Sequence, residues 1–381
     1  MKLGIYIHIP FCNKDKCDYC DFYSIPVHTD SKDWQKMIAN YLALLTAEIV
    51  YHSEECSDYV IDTIYIGGGT PSLLQSYHYE IILNIIKKYY AIAPEIEITL
   101  ECNPEHYSLQ YIKELQSVGI NRFVLGVQTL DKKAHEYIGR KPKLSSKEII
   151  EEFCSIPDII ACIDIIVGIP KQSVSNFINS LNTIIQYTPK HISAYILTFE
   201  KNTPLSSRIP QWKKLLNFQR ALFEKTITIL TSSGYHHYEI SNFALPQFES
   251  RHNFKYWNFD EYIGFGAGAH SFYKNRRYYN SNLNDYLNNP FESRTEDIRT
   301  TKDVAIEFLM NKLRLIDGFL LNEFYLKTNY LPSSSFRNTV EQLIVKGLLQ
   351  SDIINGQENL RCTHEGLFML DSILFELMSS L

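Results

Sequence analysis

Three cysteines close together near the start of the chain are the residues best suited to chemistry. Cys12 ends the run Tyr6-Ile-His-Ile-Pro-Phe-Cys12, and Cys17-Asp-Tyr-Cys20-Asp-Phe22 follows. Thiolates are soft ligands that suit iron–sulfur clusters and zinc. Three of them leave one iron of a [4Fe–4S] cube without a protein ligand, open to a small molecule. Zinc is the alternative, and it asks for a fourth ligand, which His8 or Asp21 could supply. The remaining cysteines, Cys56, Cys102, Cys154, Cys162 and Cys362, are scattered and read as buried free thiols.

Such a loop needs a scaffold. The first half of the chain alternates short apolar strands with longer amphipathic helices. Strands are expected near 4–8, 63–66, 97–101, 122–126, 161–167 and 191–197, with helices near 33–52, 77–90, 109–118, 146–156 and 176–187. Six βα units imply a parallel sheet with right-handed crossovers. The positions of the polar residues favour a partial (β/α)6 TIM-like barrel over an open sheet. The cysteine loop follows strand one, and Gly67-Gly68-Gly69-Thr70-Pro71 follows strand two. Glu101 ends strand three, Gln128 lies just past strand four, and Asp164 and Tyr195 sit on strands five and six. Polar groups gathered at strand C-termini mark a barrel's active face. With six units instead of eight the barrel stays partly open, which suits a large substrate or partner.

On that face the glycines let backbone approach a ligand closely. Glu101 and Asp164 could hold a ribose hydroxyl or an ammonium, and Arg140 a carboxylate. Each could equally cap a helix or pair at the surface. Further on, His252-Asn-Phe-Lys-Tyr256-Trp257 is dense in ligand-capable and stacking groups. His252 could ligate a haem iron while Tyr256 and Trp257 pack a porphyrin. The alternative is a satisfied histidine in an aromatic core patch. His236, His237 and His270 read as structural.

Composition narrows the partners. The chain has 381 residues, 45% of them hydrophobic and 21% charged, enough for two or three domains with a large core. A net charge of −6 gives no bulk attraction to nucleic acid or an anionic membrane. No targeting segment and no span of about 18 apolar residues is visible, so a cytoplasmic protein is expected. The divisions expected are a barrel over 1–205, an extension carrying the His252 motif over 206–290, and a small, mainly helical, winged-helix-like domain over 291–381. A long helix is expected over 211–233. The last domain carries nine Lys/Arg and thirteen Asp/Glu, the wrong balance for phosphate contacts.

Taken together, the cysteine loop, the glycine strip after strand two and the partial barrel resemble the radical S-adenosylmethionine superfamily. Within it the chain is similar to the branch that holds oxygen-independent coproporphyrinogen III dehydrogenase and the HemW-type haem chaperones. The runs at 6–12, 62–72, 126–128, 164–172, 191–200, 238–244 and 313–318 carry the likeness across nearly the whole chain. The resemblance implies a [4Fe–4S] cluster on Cys12, Cys17 and Cys20, with S-adenosylmethionine on the open iron. Tyr6, Gly68, Gly69, Thr70 and Glu101 match positions that contact this cofactor, and Gln128, Arg140 and Asp164 match positions lining the adjoining cavity. An electron donor for the cluster is implied too.

Two features separate the members of the branch. The dehydrogenase resembles a chain with a fourth cysteine two residues past the third, where Phe22 stands here, and with a longer arm before the loop. The chaperone type carries His-Asn-x-x-Tyr-Trp, present here at 252–257. The resemblance therefore implies a chaperone that binds haem, with His252 as candidate ligand, and passes it to apo-proteins. Its alternative is radical oxidative decarboxylation of coproporphyrinogen III, which would make the chain an enzyme. Three departures stand out. The first cysteine gap, Asn13-Lys-Asp-Lys16, is one residue longer than the usual pattern. Arg122-Phe-Val124 replaces Arg-x-Ser. Gly139-Arg140-Lys141-Pro142 replaces Gly-Arg-x-His.

Overall fold

The computed structural model describes every residue except 14–15, 30, 141–146 and 209–211. The middle of the long cysteine gap, the Lys141-Pro142 pair and the expected helix starts at 146 and 211 lie outside the described residues.

Six strands run parallel in sequence order: β1 (Lys2–Ile9), β2 (Val60–Gly68), β3 (Ala91–Cys102), β4 (Arg122–Gln128), β5 (Ile160–Val167) and β6 (His191–Ile196). Helices connect them: α1 (Lys32–Tyr51), α2 (Ser76–Tyr89), α3 (Leu109–Ser117), α4 (Lys132–Tyr137), α5 (Lys147–Cys154) and α6 (Val174–Gln186). A further helix, α7 (Trp212–Ser232), follows β6. Pairing in sequence order through helical crossovers is the (β/α) arrangement the sequence predicts.

Alternation along the strands divides their two faces. Leu3, Ile5, Ile7 and Ile9 on β1, Ile64 and Ile66 on β2, and Ile98 and Leu100 on β3 are buried. Between them stand Tyr6 and His8, Thr63 and Tyr65, and Glu97, Thr99 and Glu101. Successive side chains on a strand point to opposite sides. The apolar set therefore shares one face, and the opposite face is polar rather than filled with branched aliphatics as in an ordinary closed barrel.

The sheet does not end at β1. β7 (Tyr262–Phe265) pairs parallel with β1, matching Tyr6 to Gly264. Beyond it β8 (His270–Tyr273), β9 (Arg276–Asn280) and β10 (Arg294–Asp297) complete that side of the sheet. Helix α1 fastens this junction. Ser31 caps its start by accepting from the Trp34 N–H, and its buried positions recur at helical spacing from Trp34 to Ile49. The Tyr41 hydroxyl donates to the His8 carbonyl at 2.7 Å and accepts from the Ala267 N–H at 3.2 Å. The Glu48 carboxylate accepts from the Gly266 N–H, Asn280 Nδ2 and the Tyr286 hydroxyl. One helix face thus ties the end of β1 to the turn after β7.

The contacts divide the chain into two compact units. The barrel strands belong to the first. The second comprises His237–Asn242, Asn253–Asp260 and Asp297–Leu381. It holds helices Thr301–Lys312, Leu321–Thr328 and Ser334–Val345, then a hairpin of Leu349–Ile354 and Gln357–Cys362 joined on one side by Phe319–Leu320. This is the winged-helix order. Phe308 meets Phe319, Phe324 and Phe259 edge-on, and Phe324 stacks on Phe336, making an aromatic core for a small unit.

Candidate functional site

The cysteine loop is fixed by neighbours that are not themselves thiols. The Asp18 N–H donates to the Ile138 carbonyl, and its own carbonyl accepts from the Leu205 N–H. Its carboxylate pairs with Arg208 at 2.7 Å. Tyr19 packs on a buried cluster of Ala134, Ile138, Ile166, Ile169, Leu197 and Leu205. Tyr23 closes the loop: its carbonyl lies 3.0 Å from His8 Nε2, and its hydroxyl accepts from the Leu283 N–H. All three cysteines are free thiols, Cys12 buried and the others partly so. Burial raises the Cys20 thiol above its ordinary range, with the neighbouring Cys17 and Cys12 adding to the rise. Cys20 therefore senses the charge of the other two.

His8 is not available to complete a zinc site. Its Nδ1 lies 2.9 Å from the Tyr6 hydroxyl and its Nε2 meets the Tyr23 carbonyl, while burial holds its pKa down at about 4. Asp21 is exposed. Among the described residues no three His, Cys, Asp or Glu side chains gather closely enough to hold a single metal ion.

The glycine strip lies against the same loop. Gly69 donates its N–H to the Ile9 carbonyl and Thr70 donates to the Phe11 carbonyl, so the strip is bonded to the segment that leads into Cys12. A Cβ on Gly69 would strike the Phe11 carbonyl, and one on Gly68, whose φ is +116°, would come within 2.8 Å of the His8 ring. Only glycine fits at both places. The Thr70 hydroxyl lies 3.3 Å from Cys12 Sγ.

Around this centre the expected polar groups converge. Glu101 accepts from the Tyr65 hydroxyl at 2.7 Å. Burial raises its pKa to about 7; hydrogen bonds from Tyr65 and the Gly68 N–H oppose the rise and Asp164 reinforces it. Burial likewise raises Asp164 to about 6, against the pull of Ser193, Arg140 and Arg122. One Asp164 oxygen, Oδ1, is buried with no hydrogen-bond partner. Gln128 has a φ of +66°, and the pairing of β4 with β5 slips between Leu125 and Gln128. Such a bulge re-aims a side chain, and here Gln128 Nε2 comes next to Gly126. Arg140 donates through Nε to Cys17 Sγ at 3.3 Å and also binds the Gly126 carbonyl and Asn103 Oδ1. The structure thus places Tyr6, Gly68, Gly69, Thr70, Glu101, Gln128, Arg140 and Asp164 around the cysteine loop or the adjoining barrel face.

His252 lies elsewhere. It is fully buried, its Nδ1 is 2.8 Å from the Thr63 hydroxyl, and its N–H donates to Glu97. Its ring packs 5.3 Å from Tyr65. Thr63 is five residues before Gly68 on β2, a distance of roughly 16 Å along a strand. In this structure the imidazole expected as a haem ligand is buried in an aromatic patch and hydrogen-bonded to Thr63. It lies on the short helix α8 (Arg251–Trp257).

Sequence reasoning passed over Asn103 and Tyr65. Asn103 stands two residues beyond Glu101, just before Pro104, where strand three leaves the sheet. Tyr65 lies on the same strand face as Thr63 and Gly67, and that alternation was the available signal.

The donor set fits an iron–sulfur cube. Three free thiols share one pinned loop, a close-packed glycine strip backs it, and the adjoining face holds a buried carboxylate oxygen with no hydrogen-bond partner. A prediction follows from the raised carboxyls. The folded protein holds protons that an unfolded chain releases, so stability is fully present at low pH and falls as pH rises toward the folded pKa of about 7. Between about pH 5 and about pH 8, the cluster-free protein should lose thermal stability, and Glu101→Gln should flatten that slope. Equal slopes in the two proteins would contradict the burial assigned to Glu101.

Comparison with known proteins identifies the family. Residues 6–184 match the family model of the radical SAM superfamily. The chain is 34% identical to the heme chaperone HemW of Buchnera aphidicola from Acyrthosiphon pisum, over 98% of this chain and 97% of that one. It is 30% identical to HemW of Escherichia coli over the same shares, and 30% identical to HemW of Bacillus subtilis over 95% of each. Among solved structures, coproporphyrinogen III oxidase (HemN) of Escherichia coli superposes with a TM-score of 0.81 at 20% identity, covering 100% of this chain and 90% of that one. At that identity the superposition speaks for the fold. With the radical SAM motif in place and end-to-end identity to several HemW proteins, the chain belongs to the HemW family of the radical SAM superfamily.

Proposed function

We propose that this protein is a haem chaperone: it binds haem and passes it to apo-proteins in the cytoplasm. The observation that carries the reading is identity with HemW proteins along the entire chain, rather than over the barrel alone. Phe22, at the place of a fourth cysteine in the dehydrogenase type, is exposed beside the loop and offers no thiol. None of the described helices is long and apolar enough to cross a membrane.

Cys12, Cys17 and Cys20 would hold the cluster and leave one iron for S-adenosylmethionine. Bound there, the pair would supply one-electron chemistry, with a separate protein as electron donor. Gly68 and Gly69 let the backbone approach the cofactor. Glu101 would accept hydrogen bonds from its hydroxyl or ammonium donors, as would the unsatisfied oxygen of Asp164. Gln128 and Arg140 border the same cavity. Haem is a cargo, and His252 is too deeply buried to meet it in this conformation.

Two measurements test the reading. Optical titration of the purified protein with haem should show saturable binding and transfer to an apo-protein acceptor. Anaerobic incubation with coproporphyrinogen III, S-adenosylmethionine and dithionite should yield no protoporphyrinogen; formation at enzymatic rates would make the protein a dehydrogenase. In the same titration His252→Ala should keep the haem spectrum and affinity, while costing about 1–3 kcal/mol of stability through the partners it leaves. A changed haem spectrum would restore His252 as a ligand.

A further inference from the structure

We propose that Asn103 is the positioning residue of the cluster site, aiming one hydrogen-bond donor at Cys12 and another at Cys17. The proposal rests on the assignment of the cluster to the three cysteines.

The Asn103 side chain is an amide with two different ends. Its Oδ1 accepts from Arg140 at 2.9 Å, and Arg140 in turn donates to Cys17 Sγ. Its Nδ2 donates to the Thr70 hydroxyl at 3.4 Å, and that hydroxyl lies 3.3 Å from Cys12 Sγ. A hydroxyl has one proton and two acceptor sites. Because Asn103 Nδ2 is itself a donor, it takes no proton from Thr70 and leaves that proton free for the sulfur. The direction matters once Cys12 is a thiolate, because a thiolate only accepts. A single amide therefore orients a neutral donor on one ligand and a charged donor on another.

The backbone of Asn103 is held as well. The Asn103 N–H donates to Ser72 Oγ at 3.0 Å. Ser72 Oγ lies 3.1 Å from His106 Nδ1, and His106 Nε2 lies 3.1 Å from Asn13 Nδ2, next to Cys12.

Hydrogen bonds and positive charge at the sulfurs favour the more negative, reduced cluster and so raise its potential. Asn103→Asp reverses one half of the arrangement. A carboxylate accepts from both Arg140 and Thr70, so the Thr70 proton leaves Cys12 and a negative charge stands beside the thiolates. The measured step is the uptake of one electron by the cluster from an added low-potential reductant, with no bond made or broken in the protein.

The test is the midpoint potential of anaerobically reconstituted protein, read by EPR at poised potentials, with iron content measured in parallel. Asn103→Asp should keep four irons but lower the reduced-to-oxidised ratio at fixed potential about tenfold, about 59 mV for one electron. Thr70→Val should shift it the same way and Thr70→Ser should not. The Asn103→Asp and Thr70→Val shifts should fall short of additive in the double variant. An unmoved potential in Asn103→Asp or in Thr70→Val overturns the proposal, and Thr70→Val decides alone if Asn103→Asp loads no iron. Four irons retained in Cys17→Ala would instead refute the cluster assignment beneath it.

Discussion

Cys17→Ala protein, reconstituted anaerobically with iron and sulfide, is expected to stay colourless and to hold no four-iron cluster. Two thiolates remain, too few to hold a cube that already leaves one iron to a small molecule. The Arg140 guanidinium, which donates to Cys17 Sγ, also loses its acceptor in a largely buried position. The effect on loading should be near total while the effect on folding is small. Asp18 and Tyr19 pin the loop through Ile138, Leu205, Arg208 and a buried apolar cluster, and none of these contacts uses the cysteine. Unfolding of the cluster-free forms should therefore differ only by the cost of the unpaired Arg140 N–H, about 1 kcal/mol. Four irons per chain in the variant would refute the assignment.

Gly69→Ala is expected to damage the same site from the opposite side. The added Cβ strikes the Phe11 carbonyl and sits 3.0 Å from Ser24 Cβ. The first obstacle is backbone, so no rotamer change relieves it. That carbonyl also accepts from the Thr70 N–H, and Gly69 donates to Ile9, so any retreat breaks the bonds to the segment leading into Cys12. Overpacking of this kind costs about 1–3 kcal/mol. Here the displacement falls on the cysteine-bearing segment, and iron content should drop along with the denaturation midpoint. A variant with full iron and an unchanged midpoint would show that the strip is not a close-packed support.

Much of the fold was legible because local pattern and global arrangement agree. Ile and Leu alternating with Tyr, Thr and Glu identify strands one to three, and polar residues at their C-terminal ends identify the working face. β7 was harder to see. Tyr262–Phe265 is a short segment in a glycine-rich aromatic run, and its partner β1 lies more than 250 residues earlier. Nothing local announces such a pairing. The site residues were legible where a residue type has a narrow use, as with the cysteines and the glycines. Histidine has many uses: the chemistry of His252 allowed a ligand or a core residue, and its burial against Thr63 and Tyr65 was beyond the reach of the motif. Asn103 has the opposite history. An asparagine before a proline reads as a turn, and only the positions of Thr70 and Arg140 give it a role at the thiolates.

The pairing of β7 with β1 has a consequence for the life of the protein without its cluster. β1 leads directly into Cys12, so it is the strand most exposed to harm when iron is lost to oxygen. It is nonetheless an interior strand, paired with β2 on one side and β7 on the other. Unpaired strand edges template aggregation, and proteins blunt them with charge. The outermost strand on the β7 side of the sheet is the charged run Arg294-Thr-Glu-Asp297. Oxidative damage at the loop thus uncovers no adhesive backbone along β1, and molecules stripped of iron should stay dispersed and ready for repair.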